Sequence, residues 1–478
     1  MMRIGQAVLF AFRHAQPGVN GRRFGRGAAA LLLCLVLSAG LCLAAVPVSA
    51  AAAVTEPYAA LLRVGGVEYR IRAYDGSYEG NTYLSLTDLA VALSGSAKQF
   101  RFERVVSSTD GEYFSVTMGA LPSLPSGGDA AGGYEGTSSV NPYRNMLYLD
   151  GALKKYFSWN PQNGDLCLSL TDLQLMLDVT LSGDPHEVLM LDPDRPFLPD
   201  PEELRKAGYF DGIDAVYLAD SATGEIFFRQ NSMPSVPVAS LSKLLSNLVL
   251  REGLDAGEIS MDDTVRISAN VERVSRSGDG MVKLNAGEEK PFRELLEAML
   301  VASSNESALA RAEHLCGSEK AFVGRMNDRA RELGLRTSVM YNCNGLPSYS
   351  GGSLPVKRQN RMSAEDLYKL CVILLERYPD ITEITSIPLA HMPSLDDYRT
   401  ANSNPLLYNM QGVTGLKTGS TNKAGYCIAA TLPLQDSAGQ AHTLVLILLG
   451  AETADVRGQA SEILLRSAAA KIRAEGNP

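Results

Sequence analysis

The sequence predicts an α+β protein of two modules, and three observations carry that prediction. Apolar, strand-like runs stand at both ends of residues 203–474 with helical patterns between them, which one antiparallel sheet closed by sequence-distant strands would satisfy. A strand-helix segment occurs twice within residues 54–185, which predicts a smaller α/β module ahead of the main domain. At 478 residues the chain is also too long for a single core.

The first fifty residues read as a leader. Arg3, Arg13, Arg22, Arg23 and Arg26 precede an apolar run from Ala28 to Ala45, and no acidic residue occurs before Glu56. Val48-Ser49-Ala50 supplies the small residues of a cleavage site, so residues 1–50 are expected to be a signal peptide. The run is also close to the length of a membrane span, so a retained anchor is the other reading. Either route exports the chain to the cell wall or the outer face of the cytoplasmic membrane. Leu33 and Leu41, rather than small residues, precede Cys34 and Cys42, which argues against lipidation.

In the accessory segment, Tyr83-Leu84-Ser85-Leu86-Thr87-Asp88-Leu89 returns as Cys167-Leu168-Ser169-Leu170-Thr171-Asp172-Leu173. Each copy joins a short apolar run to a Thr-Asp helix start. Leu86, Leu89, Ala90 and Leu93 then fall on one helical face, as do Leu170, Leu173 and Leu177. The Gly-, Ser- and Ala-rich stretch Ser123 to Ser139 between the copies is expected to be a mobile loop. These two segments resemble the copper amine oxidase N-terminal-like domain, a small module of bacterial surface proteins. That resemblance implies a spacer or wall-facing adaptor and no copper site. Residues 186–202, rich in Asp and Pro toward their end, read as a linker.

In the main domain, Ala215–Ala219 and Glu225–Phe228 flank Asp220-Ser221-Ala222-Thr223-Gly224, a hairpin signal. Helical patterns follow over 240–254, 292–315 and 319–334. Strands are expected at Cys427–Leu432 and Thr443–Leu448, and a last helix over 453–474.

Composition removes several functions. A formal net charge of −9 disfavours nucleic acid as a partner. Beyond the leader, Cys167, Cys316, Cys343, Cys371 and Cys427 are odd in number and scattered, which is neither a disulfide framework nor a zinc pattern. His14, His186, His314, His391 and His442 show no ligand spacing, so a metal hydrolase and a histidine-based triad are both disfavoured, and no cofactor is expected.

What remains is a serine with a lysine. Ser240-Leu241-Ser242-Lys243 opens a helix, and at that spacing both side chains lie on one face. A serine hydroxyl needs a base, and lysine serves if burial and a neighbouring cation keep its amine neutral. The pair alone is also what an ordinary helix cap with an exposed lysine looks like. Two further segments change its meaning. Ser303-Ser304-Asn305 follows the helical run Phe292 to Val301 and offers a hydroxyl and an amide. Lys417-Thr418-Gly419 precedes the strand near 427 and offers a cation, a hydroxyl and close backbone approach. In that order the three are the signature of β-lactamases and penicillin-binding proteins.

The likeness extends from about residue 203 to 470. Pro237-Val238-Ala239-Ser240-Leu241-Ser242-Lys243-Leu244, Ser303-Ser304-Asn305-Glu306-Ser307-Ala308, Asn344-Gly345-Leu346-Pro347 and Asn404-Pro405-Leu406-Leu407 resemble the D-alanyl-D-alanine carboxypeptidases of serine peptidase family S11. Ser363-Ala364-Glu365-Asp366-Leu367 fits too, and so does Gly415-Leu416-Lys417-Thr418-Gly419-Ser420-Thr421 running into Ala424-Gly425-Tyr426-Cys427.

The resemblance implies a penicillin-binding/β-lactamase-like transpeptidase fold, an antiparallel sheet with a helical subdomain, over residues 203–474. It implies Ser240 as nucleophile on the penultimate D-Ala of a peptidoglycan stem peptide, Lys243 as base and Ser303 as proton relay. Asn305 would hold a substrate amide, while Lys417 and Thr418 would bind the terminal carboxylate, with Gly419 also in the substrate-binding site. Backbone N–H groups of Ser240 and Ser420 would form the oxyanion hole, and β-lactams would acylate Ser240 as covalent inhibitors. The chain departs from the family at Ser242 (usually Thr), Glu306 (Asp), Cys343 (often Pro), Asn344 (His) and Ser420 (often His or Phe). A DD-endopeptidase or a β-lactamase with the same acylation chemistry, and a non-catalytic wall-binding protein, stay open.

Overall fold

The computed structural model describes residues 58–75, 82–107, 111–122, 147–154, 158–159, 165–206, 208–349 and 357–475. The arginine-rich leader and the Ser123–Ser139 stretch lie outside these.

A five-stranded antiparallel sheet forms the centre of the main domain. Its spatial order is Ile226–Gln230, Ala215–Asp220, Ala441–Ala451, Gly425–Gln435 and Gly415–Thr421. The first strand in sequence thus pairs with the last, Val216 opposite Leu448 and Leu218 opposite Leu446. Alternation within Ala441–Ala451 explains its unbroken apolar character, because both faces of the sheet are covered. Val445, Ile447 and Leu449 face the larger core, with the helices Lys243–Asp255, Phe292–Leu300 and Ala364–Arg377. Leu444, Leu446 and Leu448 face the other way, onto Ala460, Leu464, Leu465 and Ala468 of the last helix, Ala454–Glu475.

Two expectations need correction here. The helical pattern over 292–315 is not one helix but two, Phe292–Leu300 and Asn305–Cys316, because Ser303 turns left-handed at φ 62°. An L-residue pays steric energy for that conformation, and it breaks the helical hydrogen-bond ladder. The assigned linker 186–202 also contains structure. Leu189–Asp192 is a strand pairing in parallel with Tyr58–Val64, with Leu189 and Leu191 buried and Met190 and Asp192 exposed. Its period-2 pattern is only four residues long and runs into the Asp- and Pro-rich stretch that follows.

The accessory module carries a seven-stranded sheet and a four-stranded one. The repeated segments lie side by side in the first, Tyr83 opposite Ser169 and Ser85 opposite Cys167, so the two copies run antiparallel. In each, a serine caps the following helix: Ser85 Oγ accepts from the Asp88 N–H and Ser169 Oγ from the Asp172 N–H, both at 3.1 Å. Leu84, Leu86, Leu89, Leu93, Leu168, Leu173 and Leu177 are buried in its core. The core also takes in Ile463 of the last helix, so the two modules share that element.

Candidate active site

Ser240 lies in the 3-10 turn Ala239–Ser242, which runs directly into the helix Lys243–Asp255. Leu244, Leu245, Leu248 and Val249 of that helix are fully buried, so the turn is anchored by the core itself. Ala239, just before the serine, holds a left-handed backbone at φ 46°. Two glycines let other segments close on this turn. A Cβ on Gly345 would lie 2.0 Å from the Ala239 carbonyl oxygen, and one on Gly419 would lie 2.7 Å from the Ser240 nitrogen. Neither neighbour is a flexible side chain, so no larger residue fits without moving backbone.

Lys243 is fully buried and its Nζ reaches three oxygens: Ser240 Oγ at 2.9 Å, Asn305 Oδ1 at 2.8 Å and the Asn344 carbonyl at 2.6 Å. Burial pushes its pKa down to about 7, against partial compensation from the Cys343 thiol and Glu306. A neutral amine has two N–H bonds and one lone pair. With Asn305 and Asn344 taking the two hydrogens, the lone pair is left for the Ser240 hydroxyl. In this geometry the amine could accept the Ser240 proton.

Asn305 is held at both ends, because its Nδ2 donates to the Asp279 carbonyl at 2.9 Å. Its helix starts cleanly, with Ser304 Oγ accepting from the Ser307 N–H at 3.0 Å. Ser303 sits in the turn just ahead, half-buried, and its hydroxyl makes no hydrogen bond among the described residues.

The strand Gly415–Thr421 is the sheet edge nearest Ser240. Lys417 and Thr418 are buried and Ser420 is exposed. Lys417 Nζ donates to the Thr418 carbonyl at 2.9 Å. Burial holds its pKa well below the ordinary lysine value, helped by the positive charges of Lys243 and Arg457. Thr418 Oγ1 shares a 2.5 Å hydrogen bond with Ser403 Oγ, and Arg457 reaches the Ser403 carbonyl at 3.5 Å. Arg457 is itself buried, which lowers its pKa to about 10. Lys417 on this edge strand and Arg457 beside it place basic side chains where an anion would be favoured.

The structure thus joins Ser240, Lys243 and Asn305 by direct hydrogen bonds and sets Gly419 against the Ser240 nitrogen. Lys417, Thr418 and Ser420 follow along the same edge. Sequence reasoning missed the Asn344 and Asp279 carbonyls, Ser403 and Arg457. Asn344 opens one of the segments that carry the family likeness and Ser403 adjoins another, whereas Asp279 and Arg457 carried no signal of their own.

A half-buried serine hydrogen-bonded to a fully buried lysine beside the edge of such a sheet has the geometry of a serine acyl-transfer site. The family model described as D-alanyl-D-alanine carboxypeptidase, peptidase S11, matches residues 212–453, and the chain belongs to that family. It is 33% identical over 216 residues to the D-alanyl-D-alanine carboxypeptidase DacF of Bacillus subtilis, an alignment covering 45% of this chain and 52% of that one. It is 27% identical over 252 residues to DacC of Escherichia coli, covering 52% and 59%. The chain therefore spans only about half the length of these relatives. Among solved structures, a peptidoglycan synthesis regulatory factor (PBP3) from Streptococcus pneumoniae aligns at 27% identity and a TM-score of 0.49, over 55% of this chain and 72% of that one.

Proposed function

We propose that this chain is an extracytoplasmic serine-type D-Ala-D-Ala carboxypeptidase that removes the terminal D-alanine from peptidoglycan stem peptides and is acylated by β-lactams. The observation that carries the reading is the buried Lys243 amine 2.9 Å from Ser240 Oγ.

Lys243 takes the Ser240 proton as Oγ bonds to the carbonyl carbon of the penultimate D-Ala. The backbone N–H groups of Ser240 and Ser420 receive the charge on the carbonyl oxygen; one such donor is typically worth roughly 3–4 kcal/mol of barrier. The C–N bond to the terminal D-Ala then breaks, and the proton held by Lys243 returns to the departing amine through Ser303. A water molecule attacks the acyl-enzyme, releasing the shortened peptide and restoring Ser240. Lys417 and Thr418 bind the terminal carboxylate beside Gly419, with the Thr418 hydroxyl oriented by Ser403. In the free enzyme Asn305 positions Lys243. It holds a substrate carbonyl as well only if its Nδ2 exchanges the Asp279 oxygen for that of the peptide.

The N-terminal module fits a copper amine oxidase N-terminal-like adaptor, acting as a wall-facing spacer without chemistry. Its repeated strand-helix unit supports that reading.

Labelling with a fluorescent penicillin, followed by peptide mapping, tests the proposal. Label is expected on Ser240 and lost in Ser240→Ala; folded protein that takes no label refutes it. Release of D-Ala from a pentapeptide, set against cleavage of cross-linked dimers, separates a carboxypeptidase from an endopeptidase. Rapid penicillin turnover would instead identify a β-lactamase.

A further inference from the structure

Glu306 lies next to Asn305 and is fully buried. One carboxylate oxygen, Oε1, accepts two backbone N–H groups, that of Met281 at 2.9 Å and that of Val282 in a still shorter contact. The other, Oε2, has no hydrogen-bond partner. The same segment is tied at a second point, since Ser275 Oγ donates to the Val282 carbonyl at 2.7 Å and accepts from the Leu284 N–H at 2.8 Å. Just ahead of Met281, the Asp279 carbonyl is the acceptor that fixes the Asn305 amide. A continuous chain of contacts therefore runs from Glu306 through residues 279–282 to Asn305, and from Asn305 Oδ1 to Lys243 Nζ.

We propose that Glu306 is a positioning residue for acylation: its carboxylate clamps residues 279–282, which orient Asn305 on Lys243, and its charge acts on the Lys243 amine. The family's usual aspartate is one methylene shorter, and the reach of glutamate is what this chain adds. The titratable groups that face Lys243 are Glu306, Lys417 and the Cys343 thiol, whose Sγ lies 3.2 Å from Glu319. A negative charge at 306 favours the protonated form of Lys243, so it raises the pH at which that lysine becomes a base.

Two substitutions separate reach from charge, and the test rests on acylation at Ser240 as read above. Glu306→Gln keeps an acceptor for the two N–H groups and removes the charge. The acid limb of its acylation profile is expected to move to lower pH by roughly half to one pH unit. Glu306→Asp keeps the charge and withdraws the acceptor, so its midpoint should stay put while its plateau rate falls roughly tenfold. The readout is the pre-steady-state rate of fluorescent penicillin labelling across pH, on protein whose circular dichroism matches the parent. An unmoved midpoint in Glu306→Gln, or a parental plateau in Glu306→Asp, overturns the proposal. If substitution at the buried site prevents folding, Met281→Pro at the exposed rim deletes one of the two N–H donors. It should lower the plateau, and a parental plateau there overturns the clamp equally. Parental protein run alongside separates the two readings. If it takes no label, the Ser240 reading falls and this one with it; if it labels and the variants behave as the parent, only this one falls.

Discussion

Between pH 6 and pH 8 the rate of Ser240 acylation should rise about tenfold, because the pKa of Lys243 near 7 sets how much of the base is neutral. An ordinary lysine would have fewer than about one molecule in a thousand deprotonated at neutral pH. Burial removes that obstacle: lowering the value from 10.5 to about 7 corresponds to about 5 kcal/mol against the charged form. The sign follows from the role. A base must be neutral to accept the serine proton, so activity is lost as pH falls through the folded-state value and levels off above it. The assay is stopped-flow labelling with a fluorescent penicillin from pH 5.5 to 8.5 at constant ionic strength, with the midpoint fitted to a single ionisation. Lys243→Ala, run as a control, should label slower by orders of magnitude at every pH. A parental profile that is flat between pH 6 and 8, or one still climbing steeply at pH 8.5, would refute the assignment of Lys243 as the base.

Three other outcomes are expected. Gly419→Ala places a Cβ 2.7 Å from the Ser240 nitrogen and should slow labelling on the order of a hundredfold with circular dichroism unchanged, since small displacements of a nucleophile are that costly. Ser403→Ala frees the Thr418 hydroxyl and should raise KM for a D-Ala-D-Ala peptide roughly fivefold, with kcat changed less. Deleting residues 54–192 should leave penicillin labelling in place but lower the melting temperature on the order of 5 °C, because exposing Ile463 alone forfeits about 2 kcal/mol.

Much of this site was legible because its chemistry is carried by side chains at short spacing. Ser240 with Lys243, Ser303 with Asn305, and the run Lys417 to Gly419 each sit within four residues, and each lies at a helix start, a turn or a strand edge. The groups that were not legible act in other ways. Asn344 and Asp279 contribute carbonyl oxygens, which every residue possesses, so residue type says nothing about them. Arg457 enters from the last helix, forty positions beyond Lys417, and only the closed sheet brings it to Ser403. The left-handed turn at Ser303 was hidden for a related reason: the apolar pattern on either side stays helical, and the break is imposed by the need to present Asn305.

The last helix explains how an apparently separate module can matter to this chemistry. Ala460, Leu464, Leu465, Ala468 and Ile472 bury one face of it against the catalytic sheet. Gln459, Ile463 and Arg466 lie on the opposite side and meet the accessory module: Gln459 Nε2 donates to Ser169 Oγ at 3.2 Å and Arg466 Nη2 to the Leu175 carbonyl at 2.9 Å. Glu462 is buried in the same region with Arg466 as its partner at 2.6 Å, and burial pushes its carboxyl up. Such a polar contact is tolerated only while its surroundings hold it in place. Arg457 lies within three turns of these residues on a continuous helix, so a shift of the helix on the module side would move the guanidinium that borders Ser403. The accessory module thus packs on the helix that also carries Arg457 to Ser403.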